Sequence, residues 1–259
     1  MNALASLRAE DFAAVVSGAD YGEAFLEESE STSIRIEDSR VQDAATCTDQ
    51  GMGLRYLRRS GNSFETLQGS ANSLESVQAR RLREAVLGAG TTAASTPLKA
   101  LTSYRVPVRL DPKSVPIDDK ISLLRRIDAA VRSGFPHIRQ VSLSYGEGRK
   151  DVLIVNSEGA HCRAQRTAVL LGISVVAEKD RQLQTGQAMM GGLKGFEILD
   201  DVDPVAAAQA AAARALAKLD APKAKAGEMP VVISSSAGGT LIHEAIGHAL
   251  EADLVQEGT

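Results

Sequence analysis

Toward the end of this 259-residue chain two histidines, His243 and His248, stand five residues apart, with Glu244 directly after the first. That spacing constrains the local fold more than any other feature of the sequence. On a regular α-helix, rings at i and i+4 lie about 40° apart. Rings at i and i+5 diverge by about 140° and sit about 7.5 Å apart along the axis. One extra residue taken up in a single π-turn restores a common face, and such widened turns recur at functional sites. Gly247, a weak helix former, stands where a bulge or a close backbone approach is tolerated. Brought together, His243 and His248 offer two neutral nitrogen ligands of the kind a catalytic metal site uses, and Glu244 offers a nearby proton acceptor. On a straight helix they are two unrelated surface histidines.

The residues leading into this segment add context. Met229 to Ser234 reads as a short β-branched strand, followed by Ser235-Ser236-Ala237-Gly238-Gly239-Thr240, a loop of small residues feeding a helix. Ser236 or Thr240 suits the N-cap, Thr240 being nearest the apolar start at Leu241. Gly238 and Gly239 permit positive φ or close approach by another backbone, or simply make a tight turn.

The rest of the chain reads as α+β. A short helix, Ala9 to Ser17, precedes strand-like runs at Ala24 to Glu28, Thr32 to Glu37, Gly53 to Arg58 and Ser63 to Leu67. Ile34 and Ile36 alternate with Arg35 and Glu37, as in a half-buried antiparallel strand. Ala71 to Leu87 is expected to be a helix ended by Gly88 and Gly90. A Pro-containing stretch from Thr91 to Pro116 suits a linker. Ile121, Leu124, Ile127 and Val131 then mark an amphipathic helix from Asp118 to about Gly134. Strands are expected at Ile138 to Tyr145, Asp151 to Val155 and His161 to Ala177, with Asn156-Ser157-Glu158-Gly159 as a turn. Pro204 opens a helix whose stripe is Val205, Ala208, Ala212, Leu216 and Leu219. Ala221 to Gly227 reads as a hinge. The expected architecture is antiparallel sheets with a few packing helices: an N-terminal subdomain (residues 1–90), a linker (91–117), a central subdomain (118–221), and the start of a C-terminal domain (228–259) that carries the histidines and is cut off soon after them.

Composition narrows the classes. A formal charge of −4 leaves no electrostatic footprint for nucleic acid. Two cysteines make no disulfide framework and fit a reducing compartment. The N-terminus lacks the basic start and apolar core of a secretion signal. The most apolar run, Ala168 to Ala177, is too short to cross a bilayer.

The segment Ser235 to Asp253, with His243-Glu244-Ala245-Ile246-Gly247-His248 at its centre, resembles the His-Glu-x-x-x-His signature of the TldD/PmbA metallopeptidases, also called modulators of DNA gyrase. Asp49-Gln50-Gly51-Met52-Gly53-Leu54-Arg55 is similar to that family's early Gly-x-Gly-x-Arg strand. Val155-Asn156-Ser157-Glu158-Gly159 resembles its central hairpin, and Gln184-Thr185-Gly186 with Gly191-Gly192 a later glycine-rich stretch. The resemblance implies a zinc (Zn2+) peptidase of the TldD type, with His243 and His248 as ligands and Glu244 as catalytic base. It implies a third ligand, a cysteine, from a C-terminal region beyond this chain, so that this piece alone is inactive. It further implies unfolded or flexible peptides as substrate, a cytoplasmic setting, and a homodimer or a heterodimer with a metal-free relative; charge and hydropathy, as above, point to no direct nucleic-acid or membrane binding. The alternatives are a non-catalytic peptide-binding or dimerisation module and a hydrolase of non-peptide acyl bonds.

Within the chain, Cys47, Cys162, His137, His161, Glu251 and Asp253 are the remaining candidates for the metal. Cys47 and Cys162 lack paired metal spacing and read as buried, unreactive thiols. His137 and His161 read as ordinary turn or surface residues. Glu251, three residues after His248, either steadies a ligand or lies on a solvated helix surface.

Overall fold

The structure, a computed structural model, describes residues 3–90 and 94–258. The chain divides into two compact units, Met1–Asp220 and Ala221–Thr259. The hinge expected at Ala221 to Gly227 opens the second unit.

The first unit is built on one sheet of very long strands. After a short helix α1 (Glu10–Ala13), the strands β1 (Tyr21–Glu37), β2 (Arg40–Ser60) and β3 (Ser63–Ala71) form an antiparallel meander, followed by helix α2 (Ser76–Leu87). Strand β4 (Thr102–Arg105) and helix α3 (Ile117–Gly134) come next. They lead to β5 (Ile138–Asn156), β6 (His161–Lys179) and β7 (Gln182–Gly192). A short helix α4 (Ile198–Asp201) and helix α5 (Pro204–Leu219) close the unit. The strand order is β3-β2-β1-β5-β6-β4, and β7 also pairs with β6. Among the described residues only the β4–β6 pair is parallel.

The α+β class therefore holds, with differences in how the strands are divided. The separate runs Ala24 to Glu28 and Thr32 to Glu37 are one strand, as are Ile138 to Tyr145 and Asp151 to Val155. Polar residues between them stay extended because both edges of each strand are hydrogen-bonded. Arg40 to Gly51 lacks a strand-like pattern because it is exposed or half-buried throughout, yet it pairs with β1. The stretch from Thr91 to Pro116 contains β4, and residues 91–93 lie outside the described residues. Helix α2 starts at Ser76 rather than Ala71, which belongs to β3. Helix α5 turns alanines inward, with Ala208, Ala211, Ala212 and Ala215 fully buried, while Leu216 is only half-buried. Small side chains let it approach the sheet closely.

One face of the sheet carries two apolar clusters at opposite ends of the long strands. At one end Ala24, Leu26, Leu54, Tyr56, Leu153 and Val155 pack with Phe12, Val15 and Val16 near α1 and with Ala79 of α2. At the other, Ile34, Ile36, Leu143, Leu171 and Ile173 pack under α3 and α5. Between them the same face is charged. Glu30, Thr32, Glu147 and Arg149 line a cavity of about 170 Å3 together with Lys113 and Lys120. Each half thus has its own core although the backbone ladder is continuous.

Two hairpins turn without glycine. Asp38 and Ser39 have φ of 48° and 65°, and Asp180 and Arg181 of 50° and 63°. Both are two-residue links with positive φ at both positions, the arrangement that matches strand twist. At the first, Asp38 accepts from the Val141 amide at 3.1 Å and from Arg132, and Ser39 donates to the buried Asp128 of α3. Contacts distant in sequence hold a backbone conformation that is unfavourable for these residue types.

Candidate metal centre

In the second unit, Met229 to Ser234 is not a strand among the described residues, and Val231 and Val232 are 73% and 99% exposed. β-Branched residues favour strands only where a neighbour completes the ladder. The helix begins earlier than the glycines suggest. Helix α6 spans Ser235–Ile242 with Ser234 at its N-cap, so Gly238, Gly239 and Thr240 lie inside it and none of them caps it.

The helix then widens. His243–Gly247 is a π-turn, in which the backbone N–H of His248 donates to the carbonyl of His243, five residues back. This is the distortion the five-residue spacing requires. Gly247 has ordinary helical φ and ψ of −59° and −47°, and a Cβ there would meet the His243 ring at an ordinary 3.6 Å. Its value to the turn is therefore not a positive φ or a steric gap.

The consequence is a shared face. The rings of His243 and His248 lie edge to face with centroids 4.7 Å apart. One ligand atom from each of His243, Glu244 and His248 falls within 4.8 Å of the others, and all three side chains are exposed. Ligand atoms on one tetrahedral zinc stand about 3.3 Å apart, as bonds of about 2.0–2.1 Å dictate. The group is thus gathered slightly wider than a closed ligand shell. Glu244 Oε2 is 3.5 Å from His248 Nε2, while the other ring nitrogen, Nδ1, lies 2.5 Å from Glu251 Oε1. Two imidazoles and a carboxylate on one exposed face fit a divalent cation by donor chemistry.

Among the described residues this is the group of metal-ligating side chains brought together. Asp253 turns aside and accepts from the Leu254 amide at 2.9 Å. Cys47, Cys162, His137 and His161 belong to the other unit. Cys47 is exposed and Cys162 half-buried, contrary to the expectation of buried thiols: Cys47 lies on the exposed part of β2, where neither face is covered. His161 is half-buried, with its Nδ1 enclosed and without a hydrogen-bond partner. Of the two readings left open for Glu251, the hydrogen bond to His248 favours the first. The signal in the sequence was the His-x-x-Glu spacing, legible only once the turn type was known.

Comparison with known proteins gives a consistent picture. Residues 22–89 match the PmbA/TldA metallopeptidase domain 1, and residues 110–219 match the PmbA/TldA metallopeptidase central domain. The chain is 29% identical over 245 residues to a metalloprotease TldD homolog of Haemophilus influenzae, covering 90% of this chain and 50% of that protein. It is 30% identical over 146 residues to a zinc metalloprotease TldD homolog of Saccharolobus solfataricus, covering 55% of this chain and 32% of the relative. The structure of TldE from Thermococcus kodakarensis shares the fold with a TM-score of 0.60 at 13% identity, covering 80% of this chain and 45% of the other. The chain spans about half the length of the curated relatives it matches.

Proposed function

The chain belongs to the PmbA/TldD metallopeptidase family, and from that premise we propose that it contributes His243, Glu244 and His248 to a zinc site that hydrolyses peptide bonds. The observation that carries this reading is the π-turn, which brings the two imidazoles onto one face beside Glu244. His243 and His248 would hold the metal as neutral nitrogen ligands. When bound, zinc supplies Lewis acidity to polarise the scissile carbonyl and to make water more acidic.

The chain's own residues do the rest. Glu244 accepts the proton of the attacking water and returns it to the leaving amine, a transfer suited to an exposed carboxylate within a few ångströms of the ligand nitrogens. Two histidines leave the coordination shell incomplete, and a thiolate from another segment of the whole protein would complete it. The chain alone is then inactive. The whole protein acts on unfolded or extended peptides in the cytoplasm, as a homodimer or with a metal-free relative. No helix among the described residues is long and apolar enough to cross a membrane.

The deciding experiment compares the purified parent protein with Glu244→Gln for zinc content and for hydrolysis of an unfolded peptide. The variant should keep its zinc and lose about 100- to 10,000-fold in turnover. Unchanged turnover would remove Glu244 from the role of base. A parent free of zinc would point instead to a non-catalytic peptide-binding module.

A further inference from the structure

We infer that Glu251 is a positioning residue that selects which nitrogen of His248 faces the metal; this deepens the reading above and rests on His248 being a ligand. Two carboxylates flank opposite nitrogens of one ring, and of the two only Glu251 is within hydrogen-bond distance. Glu251 Oε1 lies 2.5 Å from Nδ1, and Glu244 Oε2 lies 3.5 Å from Nε2. A carboxylate on Nδ1 can only accept, so the proton of the neutral ring sits on Nδ1. The lone pair is left on Nε2, the nitrogen facing Glu244. Ligand histidines are commonly steadied in this way, by a carboxylate on the nitrogen that does not bind the metal.

The backbone explains why Glu251 reaches the ring. After the π-turn the chain tightens into a 3-10 turn, His248–Leu250, and the Glu251 amide donates to the His248 carbonyl at 3.1 Å. In a 3-10 turn side chains at i and i+3 eclipse, whereas on an α-helix they are offset by about 60°. The widening at His243–Gly247 thus sets the two rings on one face, and the tightening that follows sets Glu251 over the second ring. Glu251 itself is extended, with φ −67° and ψ 142°, and precedes helix α7 (Ala252–Glu257). Among the described residues no carboxylate hydrogen-bonds the His243 ring, so this constraint acts on one ligand of the pair.

The test uses the whole parent protein and zinc itself as the probe, by competition with a chelator of known affinity. Glu251→Ala should weaken zinc binding by about 10- to 100-fold. Glu251→Gln, which keeps an acceptor oxygen for Nδ1–H, should recover part of that loss. In the metal-free protein, nitrogen NMR of the His248 ring should report the Nδ1–H tautomer for the parent and a shift toward Nε2–H for Glu251→Ala. A merely structural role would leave that tautomer unmoved. Parent-like zinc affinity in both Glu251 variants, with affinity lost in His248→Ala, would overturn the assignment of Glu251 alone. Parent-like affinity in His248→Ala would overturn the ligand reading and this inference with it.

Discussion

Lys120 Nζ lies 2.6 Å from a carboxylate oxygen of Glu147, with both side chains less than a tenth exposed. Tyr145 donates to the same carboxylate, and burial, followed by that hydrogen bond, pushes its phenol well above the ordinary range. The pair joins α3 to β5 in the charged band between the two apolar clusters. Removing one partner strands the other charge away from water. Lys120→Met is expected to lower unfolding free energy by about 3–5 kcal/mol. Lys120→Met combined with Glu147→Leu should lose much less than the sum of the single changes, because no uncompensated charge remains. Urea unfolding of the two single variants and the double variant checks this; additive losses would show that the charges do not act as a pair.

Glu197 ties two loops together. Its carboxylate accepts the amide N–H groups of Arg109 and Leu110 at 3.0 Å each and of Gly195 at 3.3 Å. Burial pushes its pKa up, but the backbone N–H groups of Arg109 and Leu110, with those of Glu197 and Gly195, outweigh that and hold the carboxyl down at about 2. The folded state therefore binds this proton less readily than the unfolded chain. Its stabilisation is present in full above about pH 4.5 and is lost as pH falls from there to about 2. Acid titration of the unfolding midpoint should show a shallower loss in Glu197→Gln than in the parent over that window. Parallel curves would mean that Glu197 does not contribute to it.

Gly186, in β7, lies against the backbone of α5. A Cβ at this position would stand 1.8 Å from the Ala211 carbonyl oxygen and 3.0 Å from the Ala215 amide nitrogen. Backbone cannot step aside as a flexible side chain does, so Gly186→Ala must push α5 off the sheet. The expected loss is about 1–3 kcal/mol, as for overpacking in a close-packed interior. Gly53 is the control, since a Cβ there meets nothing within 4 Å. Equal thermal midpoints for Gly186→Ala and Gly53→Ala would refute the close-approach account.

Metal removal separates binding from chemistry. Stripping the whole protein with a chelator should abolish peptide hydrolysis, and added zinc should restore it. His243→Ala should lower zinc content and resist that restoration, because one of the two imidazole ligands is gone. Full metal content in His243→Ala, measured on the purified protein, would discard His243 as a ligand.

The helices and the main turns could be read from the chain because their hydrogen bonds are local. Residues four apart decide whether Asp118 to Gly134 and Pro204 to Leu219 coil, and the structure places helices at Ile117–Gly134 and Pro204–Leu219. The five-residue spacing of His243 and His248 is local in the same sense: a shared face requires the extra residue in the turn, and the π-turn is there. Strand limits were less legible, since each strand's bonds are completed by partners distant in sequence. Arg40 to Gly51 carries little apolar pattern and became a strand because β1 lies alongside it; Met229 to Ser234 carries the pattern and is not a strand among the described residues. Tertiary contacts also set Asp38 and Ser39 into positive φ, through α3 and Val141. The contact of Glu251 with His248 lay between these cases: the spacing was written in the chain, but only the change from a wide turn to a tight one stacked the two side chains.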